Sequence, residues 1–259
     1  MRSTVMLCLL YLLSAMTWGD GRSDQQLSEL ASRSQLLCAS SMLYFNPEDR
    51  APDPRSLTVV FHHLGMLETY VLQLGQPTSL VQPLQAMKRT FAQLEAVPAS
   101  QRQHYPELLR QLLLHRQQLQ RAVVDIQTSA PQSGSPTTLE QRLNAQSQAL
   151  ASLLMDYQLR FYPMPDKPEF ALTREQVLEL DRDIDQRFET LRSERAEQAE
   201  ALARIRGNYQ FVRAQLLQDK GRAHGGVEFY LSRAVADLDE LATTTLATDA
   251  VQGALQPPE

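Results

Sequence analysis

The sequence predicts an all-α protein: tandem up-down four-helix units, about eight helices in all, behind a signal peptide. Three observations carry that expectation. Glycine and aromatic residues are scarce while Leu, Ala, Gln, Glu and Arg abound, a composition that favours helix over sheet. Apolar residues recur at steps of three and four between proline-rich breaks. An eleven-residue pattern also occurs twice: SQLLCASSMLY at 34–44 and, 113 residues later, SQALASLLMDY at 147–157. Ser34/Ser147, Gln35/Gln148, Leu37/Leu150, Met42/Met155 and Tyr44/Tyr157 are identical between the copies.

The first residues point to a compartment. Met1-Arg2 is followed by STVMLCLLYLLSAMTW, an apolar run without an acidic residue, and then by the polar GDGRSDQQ. A short positive start, an apolar core too short to span a bilayer comfortably and small residues at its end describe a signal peptide over 1–19. Thr17 and Gly19 flank the expected cleavage site, and an uncleaved anchor is the alternative. Past it, no stretch approaches the ~20 apolar residues of a spanning helix. The chain is therefore expected in a bacterial periplasm, with no membrane span after the signal peptide. Of the two cysteines, Cys38 lies past the cleavage site, so no internal disulfide is expected. Its apolar neighbours mark it as a small core residue. A net charge of -5, with no dense basic stretch, argues against nucleic acid as a partner.

Breakers divide the rest. A first helix over about 24–45 ends at NPEDRAPDPRS, and a second opens on Ser56 and closes on Gly75. A third covers about 79–96, with Pro83 close to its first turn. The fourth, about 106–128, places Leu108, Leu112, His115, Leu119, Ala122 and Ile126 on one face. TSAPQSGSPTT is the most loop-like stretch, which sets a first unit at 20–130, a linker at 131–136 and a second unit at 137–248. Thr137 with Glu140 offers a capping box for the fifth helix, and PMPDKPEF breaks it as NPEDRAPDPRS breaks the first. Thr173 with Gln176 caps a sixth helix whose stripe is Val177, Leu180, Ile184, Phe188 and Leu191. With a four-residue drift across the proline loops, Val60 aligns with Val177, Leu67 with Ile184, Val71 with Phe188 and Leu74 with Leu191. The join between helices six and seven has no clear stop before Gly207-Asn208. The last helix starts after HGG at 224–226, with Val227, Leu231, Ala234, Leu238 and Leu241 inward, and 249–259 reads as a flexible tail.

ASRSQLLCAS at 31–40 resembles the first-helix pattern A-G-R-Q-R-M-L-S-Q-R of the periplasmic sensor regions of type IV pilus chemotaxis-like transducers, some of which carry two such units. Ala31, Arg33 and Leu37 match, Leu36 stands for Met, and Ser32, Gln35, Ala39 and Ser40 depart from the pattern. The resemblance implies tandem four-helix units and a small anion or organic acid held between helices near Arg33, Gln35 and Tyr44. The second copy supplies Gln148 and Tyr157 as the equivalent candidates, without an arginine.

Catalytic chemistry finds little footing. The histidines His62, His63, His104, His115 and His224 form no metal-ligand spacing, and no G-x-S-x-G turn exposes a serine. Asp181 and Asp185 lie one turn apart and could hold a cation, although Arg182 and Arg187 beside them favour a paired, solvated face. No enzyme, cofactor or metal is expected. The expected function is a binding or adaptor protein acting through an envelope or periplasmic protein, with the charged face around Glu194, Arg195, Glu197 and Glu200 as one possible surface. The alternative is a sensor of a small anionic ligand. A neutralising partner for an exported toxin fits the same features.

Overall fold

The computed structural model describes the backbone of residues 2–49, 52–129, 137–165 and 167–255, with side chains described except at 2–20, 168, 249–250 and 252–255. Over these residues the protein is all-α. Its helices are α1 (Arg2–Tyr44), α2 (Pro54–Gln73), α3 (Thr78–Ala96), α4 (Tyr105–Ser129), α5 (Leu139–Phe161), α6 (Arg174–Glu194), α7 (Ala199–Leu216) and α8 (Gly225–Leu255). The first helix thus starts well before the expected residue 24. The signal-peptide reading concerns residues 1–19, whose side chains lie outside the described residues, as does the expected linker at 131–136. No described helix is long and apolar enough to cross a membrane.

Local chemistry explains the helix ends. After α1, the Asn46 side chain accepts a hydrogen bond from the Glu48 amide at 3.0 Å, an Asx turn that carries the chain away. α2 opens on Asp53-Pro54 rather than Ser56. The Asp53 carboxylate accepts from the Arg55 amide at 2.9 Å, and proline fits the first helical position because it has no N–H to leave unpaired. α2 stops as expected at Gly75, whose φ of 80° is left-handed. The capping box of α6 is the expected one, Thr173 with Gln176. That of α5 falls one residue later than expected, on Thr138 and Gln141. Thr137-Thr138 offers two registers, and with the second Glu140 turns inward and accepts from Asn144 at 3.0 Å.

In α4 the buried residues are Leu109, Leu112, Leu113, Arg116, Leu119, Ala122 and Val123. The face is rotated from the expected one, so Arg116 rather than His115 turns inward, its aliphatic stem covering apolar surface. The sixth and seventh helices are separated at Arg195 by a short 3-10 turn, Ala196–Gln198, while Gly207-Asn208 lies inside α7. α8 continues past the expected end at 248 to Leu255, and residues 256–259 lie outside the described ones.

Helix contacts group into two rings. α1 packs on α2 and α4, and α3 closes that ring; α5 packs on α6 and α8, and α7 closes the other. The rings meet where α1 lies along α5, and α8 also touches α1. Two hydrophobic cores result. One is built from α1 to α4 and takes Met155 and Leu159 from α5. The other is built from α5 to α8 and takes Leu36 and Ala39 from α1. The aligned pairs Val60/Val177, Leu67/Ile184 and Val71/Phe188 are buried in their respective cores. Every residue from Gln25 to Met42 is buried, as are most of those from Leu139 to Leu159. These two helices carry the repeated pattern, and they are too polar for an ordinary core. A helix buried on all sides must pair each polar group it carries. That requirement creates the site described next.

Candidate functional site

At the seam between the rings, Arg33 of α1 reaches Asp239 of α8 with 3.0 Å between guanidinium and carboxylate. Ser147 of α5 donates to the other oxygen of Asp239 at 2.5 Å. One α1 turn earlier, Glu29 accepts from the Gln25 amide at 2.8 Å and from the Thr243 hydroxyl at 3.2 Å. Tyr70 of α2 lies close to Glu29, and burial together with that carboxylate pushes its phenol up. Gln25 in turn accepts from Asn144 at 2.6 Å, and Asn144 also donates to Glu140. Four helices thus converge on one buried polar network. Small residues permit it: Ser28, Ala31, Ser32, Ser34 and Ala39 on α1 let the neighbouring backbones approach.

The electrostatics follow from dryness. Burial pushes the Asp239 carboxyl up to about 7, against Arg33 and the Ser147 hydrogen bond, which favour its charged form, while nearby Glu29 adds to the rise. His63 of α2, 2% exposed, is pushed down to about 3 by burial, then by Arg33 and His62. Its imidazole is therefore neutral, and neither ring nitrogen has a hydrogen-bond partner among the described residues.

The expected ligand residues do not form one pocket. Arg33 is occupied by the protein's own carboxylate. Gln35 donates to Ser152 of α5 at 2.9 Å, which is cross-seam packing. Tyr44 is half-buried and meets Phe45 edge-on at 4.9 Å. Gln148 is half-buried on α5. Tyr157 belongs to the second core and accepts from the His224 amide at 3.1 Å, which fixes the start of α8. An open groove of about 550 Å³ lies elsewhere, between the end of α3 and the start of α4, lined by Gln93, Val97, His104 and Leu108 among others. None of the five residues lines it.

The Asp181–Asp185 pair is also occupied. Arg213 of α7 holds Asp181 in a two-pronged contact at 2.8 and 2.7 Å, Tyr209 adds a hydrogen bond, and Arg206 holds Asp185 at 2.7 Å. Burial raises the Asp181 carboxyl, but the bonds from Arg213 and Tyr209 outweigh it and hold the group below its ordinary value. The partners are thus Arg206 and Arg213, not the expected Arg182 and Arg187, which bond to backbone carbonyls instead. Cys38 is fully buried as expected, its thiol pushed up to about 12 by burial, against Arg116.

One surface stands apart. Phe211 of α7 and Phe229 of α8 are 68% and 57% exposed, and both rings lie against Tyr230, at 4.7 and 5.3 Å between centroids. Large aromatic rings gathered in solvent are the unusual observation, since single exposed apolar side chains are ordinary. The signal was present in the sequence: the inward stripe Val227, Leu231, Ala234, Leu238 leaves Phe229 pointing out. An outward position on one helix does not show that a second aromatic ring, from α7, meets it in space. Asp239 was missed for a different reason, since a carboxylate beside Leu238 reads as the solvent edge of the helix.

No protein-family model matches the chain, and no curated protein and no solved structure is similar to it at a significant level.

Proposed function

We propose that this chain is an exported, non-enzymatic binding or adaptor protein that works by docking a protein of the bacterial envelope. The observation that carries the reading is the aromatic cluster of Phe211, Phe229 and Tyr230, which spans α7 and α8 and is open to solvent. Aromatic side chains at the centre of a contact supply most of its energy, because they bury large area at little entropic cost. Helical flanks surround the cluster, so a partner would meet a preformed surface rather than a loop that must order.

The seam supports the same reading from the other side. Arg33, Asp239, Ser147, Gln25, Glu29 and Asn144 pair with groups of the same chain, which suits a rigid scaffold more than a ligand cavity. Tandem duplication of a four-helix unit belongs to this account, supported by the repeated pattern and by the matched burial of three of its four aligned pairs, Leu74 being half-buried where Leu191 is buried. The apolar run at 1–19 supplies the compartment. A soluble sensor of a small anion or organic acid is the second reading, supported by Arg33 and by the resemblance of its helix to known sensor regions.

Replacing Phe211 and Phe229 together by serine separates the two. Both side chains are mostly exposed, so thermal stability should stay within about 0.5 kcal/mol of the parent. In-cell crosslinking to an envelope protein should be lost. Retained crosslinking would remove the cluster from the account, and a melting shift with an anion that depends on Arg33 would favour the sensor.

A further inference from the structure

We propose that the seam is a proton-operated clasp: the Asp239 carboxyl, held by Arg33 and Ser147 in a buried network that also contains Glu29, takes up a proton, so that the seating of α8 against α1 follows ambient pH. The proposal is independent of the docking face.

The charge count carries it. Glu29, Arg33 and Asp239 are all less than 9% exposed, and Arg33 is the basic side chain shown paired within the group. A second buried carboxylate, Glu29, beside the Arg33–Asp239 pair adds negative charge where water does not screen it, and such surroundings favour the protonated form of a carboxyl. The two acids lie close together. The Thr243 hydroxyl is 3.2 Å from the Glu29 carboxylate and 2.9 Å from the main-chain carbonyl of Asp239, and the Gln25 amide reaches the same two groups.

Each surrounding element fits this count. On α2, His63 is neutral and cannot supply a second cation, while Tyr70 lies close to Glu29. On α5, Ser147 donates to Asp239, and Glu140 joins through Asn144 and Gln25. α7, also packed on α8, turns Arg206 and Arg213 toward the carboxylates of α6. On α8 itself, Asp237 pairs with Arg233 at 4.0 Å, and Glu240 is exposed.

The direction is fixed by linkage. A carboxyl whose folded value lies above its unfolded value favours folding most below the unfolded value, near 4, and the advantage is lost as pH rises through the folded value, near 7 for Asp239. The clasp therefore closes most firmly in mild acid and weakens toward neutral pH.

Urea unfolding of the protein and of Asp239→Asn at pH 5.5 and 8.0 reads this out. The unfolding constant of the parent should rise relative to that of Asp239→Asn by about tenfold or more between the two values. An equal pH dependence in both proteins would overturn the proposal. Should Asp239→Asn fail to fold, carboxyl-carbon NMR of the parent decides the matter: Asp239 should titrate well above the ordinary carboxylate range, and a midpoint near 4 would overturn it. Glu29→Gln should lower that midpoint by removing the competing charge. A midpoint unmoved in this variant would overturn the part assigned to Glu29.

Discussion

Removing the Arg33 guanidinium while leaving Asp239 in place is the most informative single perturbation. Their side chains are 8% and 4% exposed, so Arg33→Leu strands a carboxylate in a dry seam. Loss of one partner of such a pair costs about 3–5 kcal/mol, whereas a surface pair such as Lys88 with Glu68 is worth about 0–1 kcal/mol. For a chain of this length each kcal/mol moves the melting temperature by about 2–4 °C, so a fall of about 10 °C is expected at pH 8. At pH 5.5 the fall should be smaller, because Asp239 can then be neutral. The double variant Arg33→Leu with Asp239→Leu should recover most of the loss, since a buried pair and apolar residues of similar volume are close in free energy. Thermal melts of the parent, Arg110→Leu as a surface control, and these two variants complete the test. A loss below 1 kcal/mol in Arg33→Leu, or no recovery in the double variant, would refute the buried-pair reasoning.

Two further outcomes concern the scaffold. Thr173→Ala and Thr138→Ala should each cost about 1 kcal/mol in urea unfolding by removing an N-cap acceptor, while Thr137→Ala should cost almost nothing. Cys38 should resist thiol reagents in the folded protein because it is fully buried and its thiol is raised to about 12; modification faster than global unfolding would contradict its placement.

Much of the fold was legible because helices announce themselves through spacing and breakers. Gly75, the Thr173–Gln176 cap and the apolar stripe of α6 are local signals with local causes, and they appear where expected. The face of α4 was harder to place. Leu108, Leu109, Leu112, Leu113 and Leu119 give two nearly equal stripes, and packing against α1 and α3 chose the one that buries Arg116. The repeated pattern pointed to the right helices for an incomplete reason. Ser34 and Ser147 are both buried, yet Ser34 donates to its own helix at Ala31 while Ser147 donates to Asp239. Identical residues therefore serve different partners, and the partner lies about ninety residues away in the second case.

Arg33 shows the limit of reading a site from one helix. Its type and position suggested anion binding, and its environment supplies an anion from the same chain. The charge of a seam made by four helices depends on residues as far apart as Gln25 and Thr243, and no short stretch of sequence reveals their meeting. The exposed aromatics were readable in principle as residues off the inward stripe, but their gathering around Tyr230 is a tertiary fact.

The most direct test of the functional account is in-cell crosslinking with a photoreactive amino acid at position 211, and at Gln118 on the exposed side of α4 as control. A discrete adduct with one envelope protein at position 211, absent at 118 and lost when Phe229 is changed to serine, is the expected result. No adduct at 211, or the same adducts at both positions, would contradict a docking face on α7 and α8.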